Sequence, residues 1–214
     1  MTLPNAHGGV QKIFIAEILS LIGTLLVLVG ITFYGAILGI YSSVGHETPG
    51  MSGLAIGGTL SLVGGAFLPI LALILNLVGL RQASKDEPDY MNKAFWCAIW
   101  ALILGVVSSV FQSLGWGGAV FFDVVGSILE ICMMVFSIMG VSEVTQNISR
   151  QDVADMGPKI ITISVIAMVV AIIAVIVGNF IGGVAALISV ICTLVAYFVY
   201  IVFLARATSA LAKG

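Results

Sequence analysis

Charge is the property that this sequence has least of. Only 8% of its 214 residues are Asp, Glu, Lys or Arg, whereas about a quarter of the residues of a soluble domain are charged. Because 60% of the residues are hydrophobic, a water-soluble fold would leave a large apolar surface in water. The sequence therefore predicts an all-α, polytopic integral membrane protein. The net charge of −2 and the lack of a basic patch argue against nucleic acid as a partner.

Histidine and cysteine are also scarce. His7 and His46 lie outside the apolar runs, which excludes chemistry based on histidine within the membrane. The three cysteines lie far apart inside apolar runs, a pattern typical of packing residues rather than of a disulfide framework. The sequence contains no H-E-x-x-H pair, no Walker loop and no G-x-S-x-G elbow. We therefore expect no enzyme activity, no metal centre and no cofactor.

Long apolar runs are what the sequence has in abundance. A membrane-spanning helix needs about 20 mostly apolar residues, and six runs reach that length. They predict a six-helix bundle that forms a single transmembrane domain over residues 1–214, with spans at about 13–40, 53–80, 94–114, 118–141, 160–178 and 182–205. The first two spans are longer than a bilayer requires, so they should tilt or project beyond it.

The basic residues fall on one side of the predicted membrane. They lie before the first span, in the second and fourth connections and after the last span: Lys12, Arg81, Lys85, Lys93, Arg150, Lys159, Arg206 and Lys213. The other three connections contain no Lys or Arg. Because positively charged connections stay in the cytoplasm, both termini are predicted to be cytoplasmic. We expect the chain to lie in the cytoplasmic (plasma) membrane of a bacterium.

Similar segments recur at the ends of the spans. Each odd-numbered span starts with a lysine followed by a long apolar run. The even-numbered spans end on NLVGLRQAS from Asn76, SIMGVSEVT from Ser137 and YIVFLARAT from Tyr200. This pattern indicates three helical hairpins related by an internal repeat, an arrangement that is common in membrane transporters. Any two apolar helices that start at a cytoplasmic lysine would show part of the same likeness without a repeat.

Small residues at four-residue spacing predict where helices approach closely. Gly35 with Gly39 and Gly53 with Gly57 form GxxxG patterns, and Ser61 continues the second pattern. Such residues line one helical face and allow two backbones to come close together. We expect them to pack the first span against the second. Self-association of two chains through the same face is the alternative.

Acidic residues inside the spans are the candidate functional residues. Asp123, Ser127 and Glu130 share one face of the fourth span, and Glu130 lies near the membrane midplane. Glu17 is a second deep acid, in the first span. Because no Lys or Arg lies deep in a predicted span, Glu130 should face the bundle interior or a water cavity, with Asn76 as one candidate hydrogen-bond partner. These five residues form the predicted transport or proton/cation site.

Two functions are compatible with these patterns. The first is a transporter, or a transporter subunit, that binds a small solute or ion near Glu130, because acidic residues inside a membrane usually serve a pathway. The alternative is a non-catalytic scaffold or accessory subunit of a larger membrane complex, since the spans contain few other polar groups. A protonated Glu130 that only holds helices together by hydrogen bonding would fit the alternative. The expected partners are the lipid bilayer and either another membrane protein or further copies of this chain.

Overall fold

Helices account for all six predicted spans in the computed structural model, which describes the backbone of residues 3–44, 51–181 and 183–212 and the side chains of residues 3–42, 52–174 and 188–212. Within these described ranges, six helices are long and apolar enough to cross a membrane, which confirms the predicted all-helical class. A short helix, α5, separates two of them. The helices are α1 (Pro4–Val44), α2 (Met51–Ala83), α3 (Pro88–Ser113), α4 (Ala119–Asn147), α5 (Gln151–Ala154), α6 (Met156–Ile181) and α7 (Gly183–Leu211).

The first helix is longer than the sequence predicts because a distant carboxylate caps its start. It has 41 residues, so it is about 60 Å long at 1.5 Å per residue. Asp86 accepts a hydrogen bond from the backbone N–H of Ala6 at 2.7 Å and another from the side-chain amide of Asn5 at 3.0 Å. A carboxylate at this position satisfies N–H groups that the first turn of a helix leaves without partners. The helix therefore continues through polar residues that precede the apolar run.

The next residue, Glu87, caps a different helix. Its buried carboxylate accepts hydrogen bonds from the backbone N–H groups of Tyr90 and Met91, each at 3.0 Å, at the start of α3. Pro88 follows at the first helical position, where its fixed φ angle suits a helix and its missing N–H costs nothing. Two adjacent carboxylates in one connection therefore fix the starts of two helices.

The chain divides into two compact units, which are described separately. The smaller unit is Ile15–Asn76 and contains most of α1 and α2. The larger unit consists of Met1–Phe14 and Leu77–Gly214 and contains the remaining helices.

The core of the larger unit lies at the ends of its helices that adjoin the charged connections. Its fully buried large side chains are Val10, Ile13, Leu80, Met91, Ile138, Val141, Val144, Phe203 and Leu204. Farther from these connections, apolar side chains such as Val106, Val120 and Ile128 are exposed. Exposed apolar surface of this kind suits contact with lipid or with another membrane helix.

Helix packing in the smaller unit depends on glycines that the spacing argument did not select. A Cβ atom built on Gly65 would lie 2.7 Å from Val27 Cγ2, and one built on Gly23 would lie 2.7 Å from Pro69 Cδ. These distances are shorter than side-chain contacts allow, so the two helices approach as closely as glycine permits. The close contact between α1 and α2 is thus formed around Gly23 and Gly65.

The structure corrects the predicted contacts of Gly35, Gly39 and Gly53. Nothing in the described residues lies within 4 Å of a Cβ built at any of these three positions. Gly57 does contact the Phe33 ring, at 3.2 Å, and Ser61 is half-buried. A GxxxG spacing places two small residues on one face of a helix, but it does not determine which face meets the neighbouring helix.

Candidate functional site

The predicted site residues fall into separate groups. Glu17 and Asn76 belong to the smaller unit, whereas Asp123, Ser127 and Glu130 belong to α4 of the larger unit.

Glu17 and Asn76 form a polar pair in which Glu17 is buried and Asn76 is half-buried. The Asn76 Nδ2 amide donates a hydrogen bond to Glu17 Oε1 at 3.2 Å, and the Glu17 side chain is only 6% exposed. The Asn76 carbonyl oxygen is buried and has no hydrogen-bond partner among the described residues. A buried acceptor without a partner costs about 1–3 kcal/mol. Asn76, which the sequence suggested as a partner of Glu130, is instead bonded to Glu17.

Asp123 connects the ends of two neighbouring helices. Gln112, near the end of α3, donates a hydrogen bond from Nε2 to Asp123 Oδ2 at 3.1 Å, and both side chains are exposed. The intervening turn contains Gly115, whose φ of 69° is readily adopted by glycine. This contact holds the α3–α4 hairpin together at the end opposite the charged connections.

For Glu130 the sequence predicts a side chain that faces the bundle interior or a water cavity. Its side chain is exposed, and it has neither a hydrogen bond nor a salt bridge within the described part of the chain. Farther along the same helical face, Met134 is 3% exposed and Ser137 is 1% exposed, whereas Ser127 is half-buried. The face becomes buried only near the charged connections, because the core of the larger unit lies there. Among the described residues, the acidic stripe of α4 is therefore exposed at Asp123 and Glu130 and half-buried at Ser127.

A buried hydrogen bond that the sequence did not predict joins α4 to α7. The Ser137 hydroxyl lies 2.8 Å from the Tyr200 hydroxyl, and these side chains are 1% and 4% exposed. The sequence does contain a pattern that points to this contact. Asn76, Ser137 and Tyr200 occupy corresponding positions in the three similar segments. All three positions carry a polar side chain that forms a hydrogen bond.

Two arginines that are distant in sequence line one cavity in the larger unit. Arg150 and Arg206 border a cavity of about 440 Å³, together with Asp152, Met156 and Ser209. Arg150 donates two hydrogen bonds to Asp152, from Nε to Oδ1 and from Nη2 to Oδ2, each at 3.0 Å. The Arg206 Nη1 atom lies 3.4 Å from the Met156 sulfur. The sequence has no run of basic residues, so only the fold brings these two guanidinium groups to one place.

The six long apolar helices indicate an integral membrane protein. No group of three or more His, Cys, Asp or Glu side chains within the described ranges is arranged to hold a metal ion. Comparisons with protein-family models, with curated proteins and with solved structures give no match to this chain. The function therefore has to be inferred from the geometry of its own residues.

Proposed function

We propose that this chain is a non-catalytic membrane subunit that packs against a different membrane protein through α4. The observation that carries the proposal is the exposed side chain of Glu130, near the middle of an apolar helix. A charged side chain at the centre of a membrane helix costs about 2.5–3.5 kcal/mol on insertion scales. A hydrogen-bond donor or a cation on a neighbouring helix offsets this cost. The described part of the chain supplies neither, and this supports a partner on another molecule.

The surroundings of Glu130 favour a foreign helix over a second copy. Phe121 and Ile128, on the same helix, are 67% and 48% exposed, so the surface of α4 is otherwise apolar. An apolar helix surface gains little by exchanging lipid for another apolar helix. The polar side chain of Glu130 is therefore the group that can select a particular partner. A second copy that packs through the same face would bring another Glu130. It would bring no basic side chain at that depth, because no Lys or Arg lies deep in a predicted span. A partner with a basic or amide side chain at the depth of the midplane fits better.

The test is native mass spectrometry of the tagged chain, extracted gently from the membranes of its own host. We expect a second, different subunit in a fixed ratio with the wild-type chain and with Glu130→Gln, which keeps a hydrogen-bonding group. Glu130→Leu should lose that subunit. Asp123→Asn is the matched control, because it changes an acid of the same helix that already has a partner in Gln112. A lone chain, a homo-oligomer or a complex that survives Glu130→Leu would contradict the proposal.

Transport of protons or small cations is a second candidate, favoured by the polar pair of Glu17 and Asn76. The buried carboxyl group of Glu17 lies beside the Asn76 amide oxygen, which has no partner among the described residues, so a protonatable group and an oxygen acceptor lie together inside an apolar hairpin. Proteoliposomes that contain a trapped pH dye would detect proton flux driven by a potassium diffusion potential. In this case the wild-type chain should carry protons and Glu17→Gln should not. Wild-type vesicles that are no more permeable than empty ones would contradict proton transport.

We also propose that the three hairpins are internal repeats and that both termini are cytoplasmic, in a bacterial cytoplasmic membrane. Some corresponding positions of the similar segments are buried in all three, which supports the repeat. Fully buried residues occupy the positions of Leu80, Val141 and Leu204. The proposed topology rests on the one-sided distribution of basic residues. Thiol-labelling of single cysteines placed at Ser84 and at Ser113 of a cysteine-free variant tests it, because only the second should react from outside the cell.

A further inference from the structure

We infer that the cavity between α5 and α7 binds the phosphate group of an anionic ligand. The cavity has a volume of about 440 Å³ and is bordered by two guanidinium groups and one hydroxyl, from Arg150, Arg206 and Ser209. Guanidinium groups match the geometry of phosphate oxygens because they donate parallel hydrogen bonds in one plane. The cavity thus brings two guanidinium groups and one hydroxyl to the border of a single space.

Arg206 is the residue with unused donors. Its guanidinium carries five N–H groups, and its only hydrogen bond within the described residues is to the Met156 sulfur, a weak acceptor. The side chain is exposed. Ser209 lies three residues farther along α7, so both side chains project from neighbouring positions on one helical face. A phosphate oxygen could therefore accept from the guanidinium and from the hydroxyl at the same time.

Asp152 sets the charge balance of the cavity. It is the acidic residue that borders the cavity, and its two oxygens accept both hydrogen bonds from Arg150. This ion pair neutralises Arg150, whereas Arg206 forms no ion pair within the described residues. An anion would bind first to Arg206 and would compete with Asp152 for Arg150. Removal of the Asp152 charge should therefore strengthen anion binding, whereas removal of the Arg206 charge should weaken it.

The position of the cavity favours a phospholipid headgroup as the source of the phosphate. The cavity lies where α6 begins and α7 ends, next to the charged connections. The ends of membrane-spanning helices lie at the depth of the headgroups, and basic pockets at such ends bind anionic lipids. A soluble phosphate has the same chemistry, so the experiment has to distinguish the two sources.

The test uses the purified full-length chain in detergent and counts retained lipid by native mass spectrometry. Phosphatidylglycerol, which is anionic, is compared with zwitterionic phosphatidylcholine, and inorganic phosphate is titrated as a competitor. Near the membrane surface each basic residue contributes about 1 kcal/mol, or roughly a fivefold change in affinity, to the binding of an anionic lipid. We expect phosphatidylglycerol to be retained in preference, about fivefold less by Arg206→Gln, and several-fold more by Asp152→Asn.

Arg81→Gln is the matched control for charge. Arg81 is an exposed arginine near the end of α2, next to the Phe95 ring, and it does not border the cavity. Retention that is unchanged in Arg81→Gln but reduced in Arg206→Gln supports the site. Displacement by inorganic phosphate would assign the site to a soluble anion, and retention despite phosphate would assign it to the lipid. Equal losses in both arginine variants, no gain with Asp152→Asn, or equal retention of the two lipids would overturn the inference.

Discussion

Replacement of Gly65 by alanine adds a methyl group where the two helices of the smaller unit are already in contact. The added Cβ would lie 2.7 Å from Val27 Cγ2, 2.8 Å from the Val27 backbone nitrogen and 2.9 Å from the Gly23 carbonyl oxygen. Two of these three atoms belong to the backbone, so a change of side-chain rotamer cannot relieve the overlap. The helices would have to move apart.

The expected cost follows from a comparison with Gly35→Ala. Alanine favours a helix over glycine by about 0.5–1 kcal/mol, and this gain is common to both variants. Gly35 is exposed, and nothing described lies within 4 Å of its added Cβ, so Gly35→Ala should be neutral or slightly stabilising. Overpacking at a tight contact costs about 1–3 kcal/mol. The free energy of unfolding of Gly65→Ala should therefore be lower than that of Gly35→Ala by about 1–3 kcal/mol.

The assay is unfolding in dodecyl maltoside micelles by increasing fractions of sodium dodecyl sulfate, followed by the helical signal in circular dichroism. Each variant is compared with the wild-type chain at the same protein concentration, because association would also shift the midpoint. Equal stability of the two variants would show that α1 and α2 do not meet around Gly65. A large loss with Gly35→Ala would show that the GxxxG face packs after all.

Two further predictions concern buried hydrogen bonds of the larger unit. Glu87→Ala should lower the free energy of unfolding by about 1–2 kcal/mol, since it removes the cap of α3, while Glu87→Gln, which keeps an acceptor oxygen, should lose less in the same denaturation assay. Ser137→Ala and Tyr200→Phe should each cost about 0.5–1.5 kcal/mol, and a double-mutant cycle should give a coupling energy of about 0.6 kcal/mol. A coupling energy of zero would mean that the two hydroxyls do not interact.

The membrane class and the six helices follow from the sequence because hydropathy is a property of each segment alone. The position of a helix end, in contrast, can depend on a residue that is distant in the chain. The extension of α1 to Pro4 depends on Asp86, about 80 residues away in the chain, and no local signal reports that contact. The start of α3 is more predictable, because Glu87 and Pro88 are adjacent and both favour a helix start.

The candidate sites show the limit of sequence patterns more clearly. The spacing of residues on α4 places Glu130 on one face with Asp123 and Ser127, and it predicts that this face meets the bundle interior or a water cavity. Burial of a helical face depends on where the neighbouring helices pack, and the core of the larger unit begins only near Met134. The cavity of Arg150 and Arg206 depends in the same way on three-dimensional contact between segments that are far apart in the chain.

The adjacent carboxylates of Asp86 and Glu87 limit how the chain can be engineered. Because each residue caps a different helix, insertion of one residue between them would displace at least one carboxylate from its N–H donors. In the turn around Gly115 and Gly117, no described side chain caps two helices, and the residues of the turn are exposed. An epitope or a fluorescent reporter should therefore be introduced at that turn, and the length of the connection that contains Asp86 should be left unchanged.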